Sequence, residues 1–431
     1  MGSKSEQADS FSSELSIAKK YYLVGVYEKS PLMKNIVHYI NLDTVGGVEV
    51  LFADFIKMST NELFSHNVFL MTDRIHPNIH DSIVNKIMAM YRVKYFHRLK
   101  IPKMPCSLRL WNFNRLLGEV RPNLVMFWNT MDLRMPKEFS FGRKFSFVFY
   151  DHGTSWYQKR LPRTRYFLSL MNKTLCCSHA SRRILELYHQ HNGPIEVLLN
   201  PLRPGFSSLA IRPKTLPSDR PLRVGVAGRL VNYKGMSLAL HTIAALKKRG
   251  IDAELYIAGT GKEKKKLEKI ARDLNIEKQT FFLGLILQMP EYYQQIDVFL
   301  CPSIRESFGL VSLEAMAGGC PVVCSLVDGL PEIVTQKKTG ICVAPLLPLT
   351  EYPHLGGSFD KLPEYVYDPV SDNIKEPCIV DPEQFAGAIE EITEDPLRYE
   401  TMSQSCLNDA KSRFSFSRYL SSLEKTIGEV M

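Results

Sequence analysis

The sequence predicts an α/β chain of two domains, each built on a parallel sheet, and three observations predict it. The 431 residues amount to two or three domains at about 150 residues each. Apolar residues make up 45% and charged residues 23%, the balance of a soluble globular chain, not of a disordered or coiled-coil one. Short apolar runs alternate with amphipathic helical stretches, the rhythm of strand–helix–strand units with parallel strands.

In the first half, NIVHYINL, HNVFLMT, NLVMFW, FSFVFY and TLCCS read as buried strands. In the second half LRVGVAG, AELYIAG, TFFLG, VFLCPS and PVVCS do so. Between them, residues 201–221 are rich in Pro and Ser without periodicity, which makes them a linker. Residues 262–274 form a helix with Leu267, Ile270, Ala271 and Leu274 on one buried stripe, and its lysine run is that helix's solvated face. Residues 236–249 form another, ending in Lys247, Lys248 and Arg249 before Gly250, cations and a glycine cap at the carbonyl end. Residues 346–379, dense in proline and acids, break the rhythm and read as an irregular insertion.

The net charge of +9 is unevenly placed. Residues 82–173 contain 18 Lys plus Arg against four acids, or +14, so the rest of the chain sums to −5. Within that segment, residues 99–117 interleave cations with Leu108, Leu110, Trp111, Phe113 and Leu116. Nothing in the sequence has the form of a signal peptide or an apolar run of 18 residues. Nine cysteines without C-x-x-C or Cys/His zinc spacing point to a reducing, cytoplasmic setting, with Cys301, Cys320, Cys324 and Cys342 as small buried thiols.

Two glycine-bearing strand-to-helix turns, Gly225-Val-Ala-Gly228-Arg229 and Gly259-Thr-Gly261, would let backbone N–H groups approach a diphosphate, though neither matches a named fingerprint. Arg229 and Lys234 lie on the loop after a first strand, at the carboxyl edge where open α/β sheets bind ligands. Such a pair can neutralise a diphosphate leaving group, and it can equally be two solvated surface cations. In Cys301-Pro-Ser-Ile-Arg-Glu306-Ser-Phe-Gly309-Leu-Val-Ser-Leu-Glu314, Glu306 falls on a loop. Glu314 falls about a turn and a half into the next helix, so the two carboxylates can contact opposite ends of an extended ligand.

These residues resemble the retaining glycosyltransferases of family 4. The matching features are Glu306-x7-Glu314, Gly228-Arg229-x4-Lys234-Gly235, EAMAGGCPVV, Asp328-Gly329-Leu330-Pro331-Glu332 and Thr339-Gly340, and together they span residues 223–344. Toward the N-terminus Thr44-Val-Gly46-Gly47, Tyr150-Asp-His152-Gly153 and Cys177-Ser178-His179 are similar to the family's glycine loop, strand-end His-Gly and helix start. Leu199-Asn200-Pro201 departs from the family's Pro-Asn-Gly.

The resemblance implies the GT-B fold, two facing Rossmann-like domains with an interdomain cleft. The chain would divide into an N-terminal acceptor domain (1–206), a nucleotide-sugar domain (207–410) with the insertion 346–379, and a C-terminal helix (411–431) packing back toward the first domain. It implies that Arg229 and Lys234 hold the donor's diphosphate, and that Glu306 and His152 meet the donor sugar. Backbone groups of Gly228, Phe308, Gly309 and Leu310, together with Gly46 and Gly47, would make room for the donor, and Glu314 would bind the ribose. No metal or other cofactor is implied.

The partners so implied are a nucleoside-diphosphate sugar and a lipid-linked or oligosaccharide acceptor, as in lipopolysaccharide, O-antigen or other surface-polysaccharide synthesis. The basic segment, with Arg98, Lys100, Lys103, Arg109 and Trp111, would dock on an anionic membrane surface at the inner face of the cell membrane. Alternatively Trp111 and Phe113 are core residues under a solvated face. No nucleic-acid motif is present. A soluble-acceptor transferase or phosphorylase and a non-catalytic nucleotide-sugar-binding scaffold are the rival functions.

Overall fold

The structure, a computed structural model, describes residues 33–97, 99–102, 106–131, 144–159, 161–207 and 211–431. Its contacts divide the chain into two compact units. One comprises Met1–Tyr150, Pro162–Thr174 and Leu423–Met431, and the other Asp151–Leu161 and Leu175–Ser422.

The first unit is built on strands β1 (Lys34–Leu42), β2 (Phe64–Ile75), β3 (Ala89–Arg92), β4 (Leu124–Trp128) and β5 (Ser146–Asp151), in the order β3-β2-β1-β4-β5. All neighbouring pairs are parallel. Strand β4 (LVMFW) is buried and apolar throughout, as a parallel sheet covered on both faces requires. Helix α1 (Gly47–Met58) buries Leu51, Phe52, Phe55 and Ile56. Helix α2 (Cys106–Val120) follows a short hairpin of Tyr95–Phe96 and Leu99–Lys100. Asn112, fully buried on α2, donates to the carbonyls of Val93 and Tyr95 at 2.9 Å each and fastens that hairpin to the helix.

The second unit carries helix α3 (His179–Leu187), then strands β6 (Leu222–Ala227), β7 (Ala253–Ala258), β8 (Thr280–Gly284), β9 (Val298–Cys301), β10 (Val322–Ser325) and β11 (Gly340–Val343). Their order is β8-β7-β6-β9-β10-β11, again all parallel. Helices α4 (Met236–Lys248) and α5 (Lys264–Asp273) pack on one face. Leu240, Ile243, Leu246 and Leu267 join Val224, Val226, Leu255 and Ile257 in the core there. Helix α6 (Leu310–Ala317) connects β9 to β10.

Sheet order reverses between β6, whose successor β7 lies on one side, and β9, which lies on the other. The carboxyl ends of β6 and β9 therefore flank the topological switch point, where open α/β sheets leave a crevice. The ten strand runs and the two helices read from the sequence are present, TLCCS as the strand Lys173–Cys176 next to β5 in the first sheet. The linker holds one helical turn, Pro204–Ser207, and residues 211–221 run without helix or strand. The insertion is less irregular than its composition implied, with two small antiparallel pairs, Leu347–Pro348 with Cys378–Ile379 and Val366–Asp368 with Asn373–Lys375. Cys342 is half-buried, whereas Cys301, Cys320 and Cys324 are buried.

Candidate functional site

The chain leaves β6 through Gly228 and reaches Arg229, whose guanidinium donates to the Tyr233 hydroxyl at 2.6 Å. A single tight turn, Asn232–Lys234, follows and closes at Gly235 with φ +65°. A Cβ at Gly235 would stand 2.0 Å from the Pro302 carbonyl oxygen, so only glycine lets this loop lie on the end of β9. Ile304 N–H donates to the Tyr233 carbonyl at 2.8 Å and binds the two loops together. The outcome is an ion pair between the Lys234 ammonium and the Glu306 carboxylate, with side chains only 16% and 12% exposed. Burial is the largest single influence and works against the lysine's charge, but the charge and hydrogen bond of Glu306, together with Cys301 and Tyr233, outweigh it and Lys234 titrates above the ordinary lysine value.

Beyond Glu306, Gly309 adopts φ +103° and caps α6. Glu314 is the fifth residue of that helix, roughly 6 Å along its axis from the first at 1.5 Å per residue. Its carboxylate is buried, accepts from the Tyr293 hydroxyl at 3.2 Å and lies 3.9 Å from Arg203 Nη1. Burial pushes its pKa up to about 7, and Arg203 and the Tyr293 bond hold it from rising further. The Phe308 ring is buried against Phe414, with centroids 5.9 Å apart, so only its backbone can face a ligand.

His152 enters through a second set of bonds within the same unit. Asp151, fully buried, accepts from Gly153 N–H and Ser155 N–H at 3.2 Å each and from the Ser155 hydroxyl at 2.6 Å. Gly153 sits at φ +109°, and a Cβ there would meet Arg305 Nη2 at 2.3 Å. That nitrogen donates to the Gly153 carbonyl, while the guanidinium lies 4.5 Å from the Trp156 ring centroid and 4.9 Å from that of Tyr157. Ser307 donates its hydroxyl to the His152 carbonyl at 3.0 Å. The residues on either side of Glu306 thus both grip the backbone of His152 and Gly153. Burial lowers His152 to about 3, the hydrogen bond with Asn200 acting the other way, so its imidazole is neutral at physiological pH.

Of the residues singled out in the sequence, the second unit brings together Gly228, Arg229, Lys234, Glu306, Phe308, Gly309, Leu310, Glu314 and His152. Sequence reasoning gave no role to Arg305, Ser307, Asp151 or Asp328, although the last two stand in motifs quoted for the resemblance. Arg305 and Ser307 sit inside the recognised motif, where flanking positions carry no signal of their own until the partner backbone is known. Gly46 and Gly47 belong to the first unit. Gly46, extended at φ −130°, precedes α1, which begins at Gly47.

The membrane candidates also belong to the first unit. Arg98 and Lys103 lie outside the described residues. Lys100 is exposed, and Arg109 donates through Nε and Nη2 to the Ile101 carbonyl at 3.2 and 3.0 Å. Trp111 is 52% exposed and packs on Phe96 at 5.3 Å between centroids, whereas Phe113 is core. Leu99, 76% exposed at the hairpin, and Leu108 are also exposed apolar residues of this segment. Among the described residues no group of three or more His, Cys, Asp or Glu is placed to hold a metal ion, and no helix is long and apolar enough to cross a membrane.

Comparison with known proteins adds to this geometry. The family described as "Glycosyl transferases group 1" matches residues 208–347, about a third of the chain. An uncharacterized glycosyltransferase of Methanocaldococcus jannaschii is 38% identical over 123 residues, 28% of this chain and 31% of that protein. The D-inositol 3-phosphate glycosyltransferase of Corynebacterium urealyticum is 38% identical over 131 residues, 28% of this chain and 30% of its own. The chain thus matches about three-tenths of the length of these relatives. The crystal structure of HepE from Anabaena in complex with UDP and glucose superposes with a TM-score of 0.68 at 18% identity, covering 92% of this chain and 100% of that one. Residues 208–347 accordingly carry the sequence of glycosyl transferases group 1, within a chain that has the GT-B fold of solved glycosyltransferases.

Proposed function

We propose that this protein is a retaining glycosyltransferase that moves a sugar from a nucleoside-diphosphate sugar to a lipid-linked or growing glycan acceptor without a metal ion. The observation that carries the reading is the grouping of Arg229, Lys234 and Glu306 at the switch point of the second sheet, with Glu314 further along α6. A diphosphate with Arg229 and Lys234 on one side and the free N–H groups of the α6 start on the other is neutralised by fixed cations and dipoles. As the sugar–phosphate bond breaks, negative charge collects on the departing diphosphate, where these groups act most strongly. Two cations supply there what a bound Mg²⁺ would otherwise supply.

Glu306 accepts hydroxyls of the donor sugar, and neutral His152 offers a ring nitrogen to the same sugar. Glu314 accepts the ribose hydroxyls. The departing phosphate takes the acceptor's proton on the face it leaves, so the new bond forms on that face and the anomeric configuration is kept. No side chain is assigned as a nucleophile.

The acceptor is read from the first unit. Exposed Leu99, Leu108, Trp111 and Lys100, in a stretch of sequence that also carries Arg98, Lys103 and Arg109, supply the apolar and cationic groups that an anionic lipid surface requires. The protein then works as a cytoplasmic, peripheral enzyme of lipopolysaccharide, O-antigen or related surface-polysaccharide synthesis. A small soluble acceptor is the second reading, favoured by the relative whose name specifies D-inositol 3-phosphate.

One experiment tests both. UDP-, GDP- and ADP-sugars are screened for thermal stabilisation of the protein, and the best is assayed with bacterial lipid extract or with inositol phosphate. Consumption with lipid extract alone supports the first reading, and consumption with inositol phosphate supports the second. Binding without consumption of any nucleotide sugar in either assay means a non-catalytic scaffold.

A further inference from the structure

The insertion 346–379 is tied to the turn that carries Lys234, to the segment after His152 and to Asp328. Tyr352 donates its hydroxyl to the Asn232 carbonyl at 2.6 Å, inside the turn that carries Lys234. The Asn232 amide reaches back to Ser358 Oγ at 2.6 Å. Tyr365 donates to the Ser155 carbonyl at 3.0 Å, in the segment that follows His152. Tyr367 exchanges two bonds with Asp328: its N–H donates to Asp328 Oδ1 at 2.7 Å, and its carbonyl accepts from Asp328 N–H at 3.0 Å.

Asp328 is the point where these ties meet. It is fully buried, and its φ of 49° is a left-handed conformation that glycine adopts freely and aspartate only at a cost. Its carboxylate accounts for an aspartate there. Besides Tyr367, Oδ1 accepts from Trp156 Nε1 at 3.1 Å, and Oδ2 accepts from the backbone N–H of Glu306 at 3.0 Å. Three donors from three separate segments converge on one buried anion, and each such charge-assisted bond is stronger than a neutral one. Trp156 in turn carries the Arg305 guanidinium that holds the Gly153 carbonyl.

We propose that Asp328 is a positioning residue for the sugar end of the donor site. It ties the Glu306 backbone, the Trp156 indole and the insertion into one frame, so that Glu306 and His152 stand in fixed places before the donor arrives. The proposal rests on the donor-site reading above and goes beyond it by giving the insertion a task. It also separates two halves of the site. Arg229, Lys234 and Glu314, which meet the diphosphate and ribose, make no bond to Asp328, while Glu306 bonds it directly and His152 is linked to it through Trp156 and Arg305.

The test uses the full chain with Asp328→Gly, which suits the backbone conformation and removes the carboxylate, and Asp328→Asn, which keeps one acceptor oxygen. UDP, GDP and ADP are titrated calorimetrically, and turnover of the corresponding glucose ester is measured as kcat and KM. Both variants are expected to bind the diphosphate within about twofold of wild type. Asp328→Gly is expected to lose kcat by on the order of 30- to 100-fold with little change in KM, the scale of a reacting group displaced by about 1 Å. Asp328→Asn is expected to lose less. Turnover by Asp328→Gly within twofold of wild type overturns the proposal. So does a parallel loss of diphosphate binding and turnover in both variants, which would make Asp328 merely structural. If wild-type protein binds none of the three diphosphates, the donor-site reading itself fails and the proposal falls with it.

Discussion

The ammonium of Lys234 pairs with the carboxylate of Glu306, although 72 residues separate them in sequence. Neither is the solvated surface charge that its position on a loop would permit, because Gly235 lets one loop rest on the other. Lys234→Ala leaves Glu306 without this pair and, in the proposed function, removes a cation from the place where diphosphate charge develops. Turnover is expected to fall by on the order of 10²- to 10³-fold, as when one preorganised charge-stabilising group is removed. Nucleotide affinity, measured calorimetrically, should fall by less than about tenfold, since Arg229 and the α6 N–H groups remain. Unchanged turnover refutes the leaving-group role.

Glu314 gives a pH prediction. With its pKa pushed up to about 7, it is mostly protonated at pH 6 and mostly ionised at pH 8. In the proposed reading the ionised form accepts both ribose hydroxyls, so affinity for a nucleotide sugar should rise by up to about tenfold over that range. Glu314→Gln should abolish the dependence. The same shift has a stability side. A carboxyl raised above its unfolded value favours folding while protonated, and that contribution is lost as pH rises from about 4.5 through 7. Glu314→Gln should therefore melt above wild type at pH 8 in a thermal scan. A variant with wild-type pH dependence of binding and a lower melting point would sink the assignment.

How much of this was legible beforehand follows from what kind of signal each feature leaves. Strands such as LRVGVA and VFLC announce themselves by continuous apolar character, which a two-sided parallel sheet demands. The Glu306–Glu314 spacing is local, so a helix beginning at Leu310 converts it directly into geometry. Arg305 and Ser307 left no such trace, and Asp328 stood in a matching motif without a role, because each acts on backbone atoms of Gly153, His152 and Tyr367 that are remote in sequence, and any residue type can supply a carbonyl or an N–H. The insertion was unreadable for a related reason. Its work is done by single tyrosine hydroxyls at 352 and 365, not by a periodic face. Trp111 was ambiguous between core and surface because α2 places Phe113 inward and Trp111 outward only two positions apart.

A second pH effect belongs to the first unit. His38 and His66 share a hydrogen bond of 2.9 Å, and the Trp128 indole donates to His38 Nδ1 at 3.1 Å. His38 therefore accepts at Nδ1 and donates from Nε2 to His66. Burial holds His66 down to about 4, and burial together with His66 holds His38 well below the usual histidine range. Groups with depressed folded pKa values lose their stabilising contribution as pH falls from 6.5 through the folded value. His66 alone should weaken the unit by about 2 kcal/mol between pH 7 and pH 5, from 1.4 kcal/mol per pKa unit. Urea unfolding at the two pH values checks this, and His66→Gln should flatten the difference. Equal stability at both pH values contradicts it.

For the membrane surface, charge reversal at Arg98, Lys100 and Lys103 removes about 1 kcal/mol of lipid attraction per cation. The triple variant should lose sedimentation with vesicles of phosphatidylglycerol and phosphatidylcholine by on the order of 10²-fold in partition. Trp111→Ser should weaken it further. Persistent binding by the triple variant would remove the membrane reading.

The proposed transfer with retention rests on the Arg229–Lys234–Glu306 site. The most direct measurement is proton NMR of the product formed when the best-binding α-linked nucleotide sugar is incubated with its acceptor. An α-linked product, together with loss of that product in Lys234→Ala, is predicted. A β-linked product, or nucleotide-sugar binding without any transfer, would contradict the account.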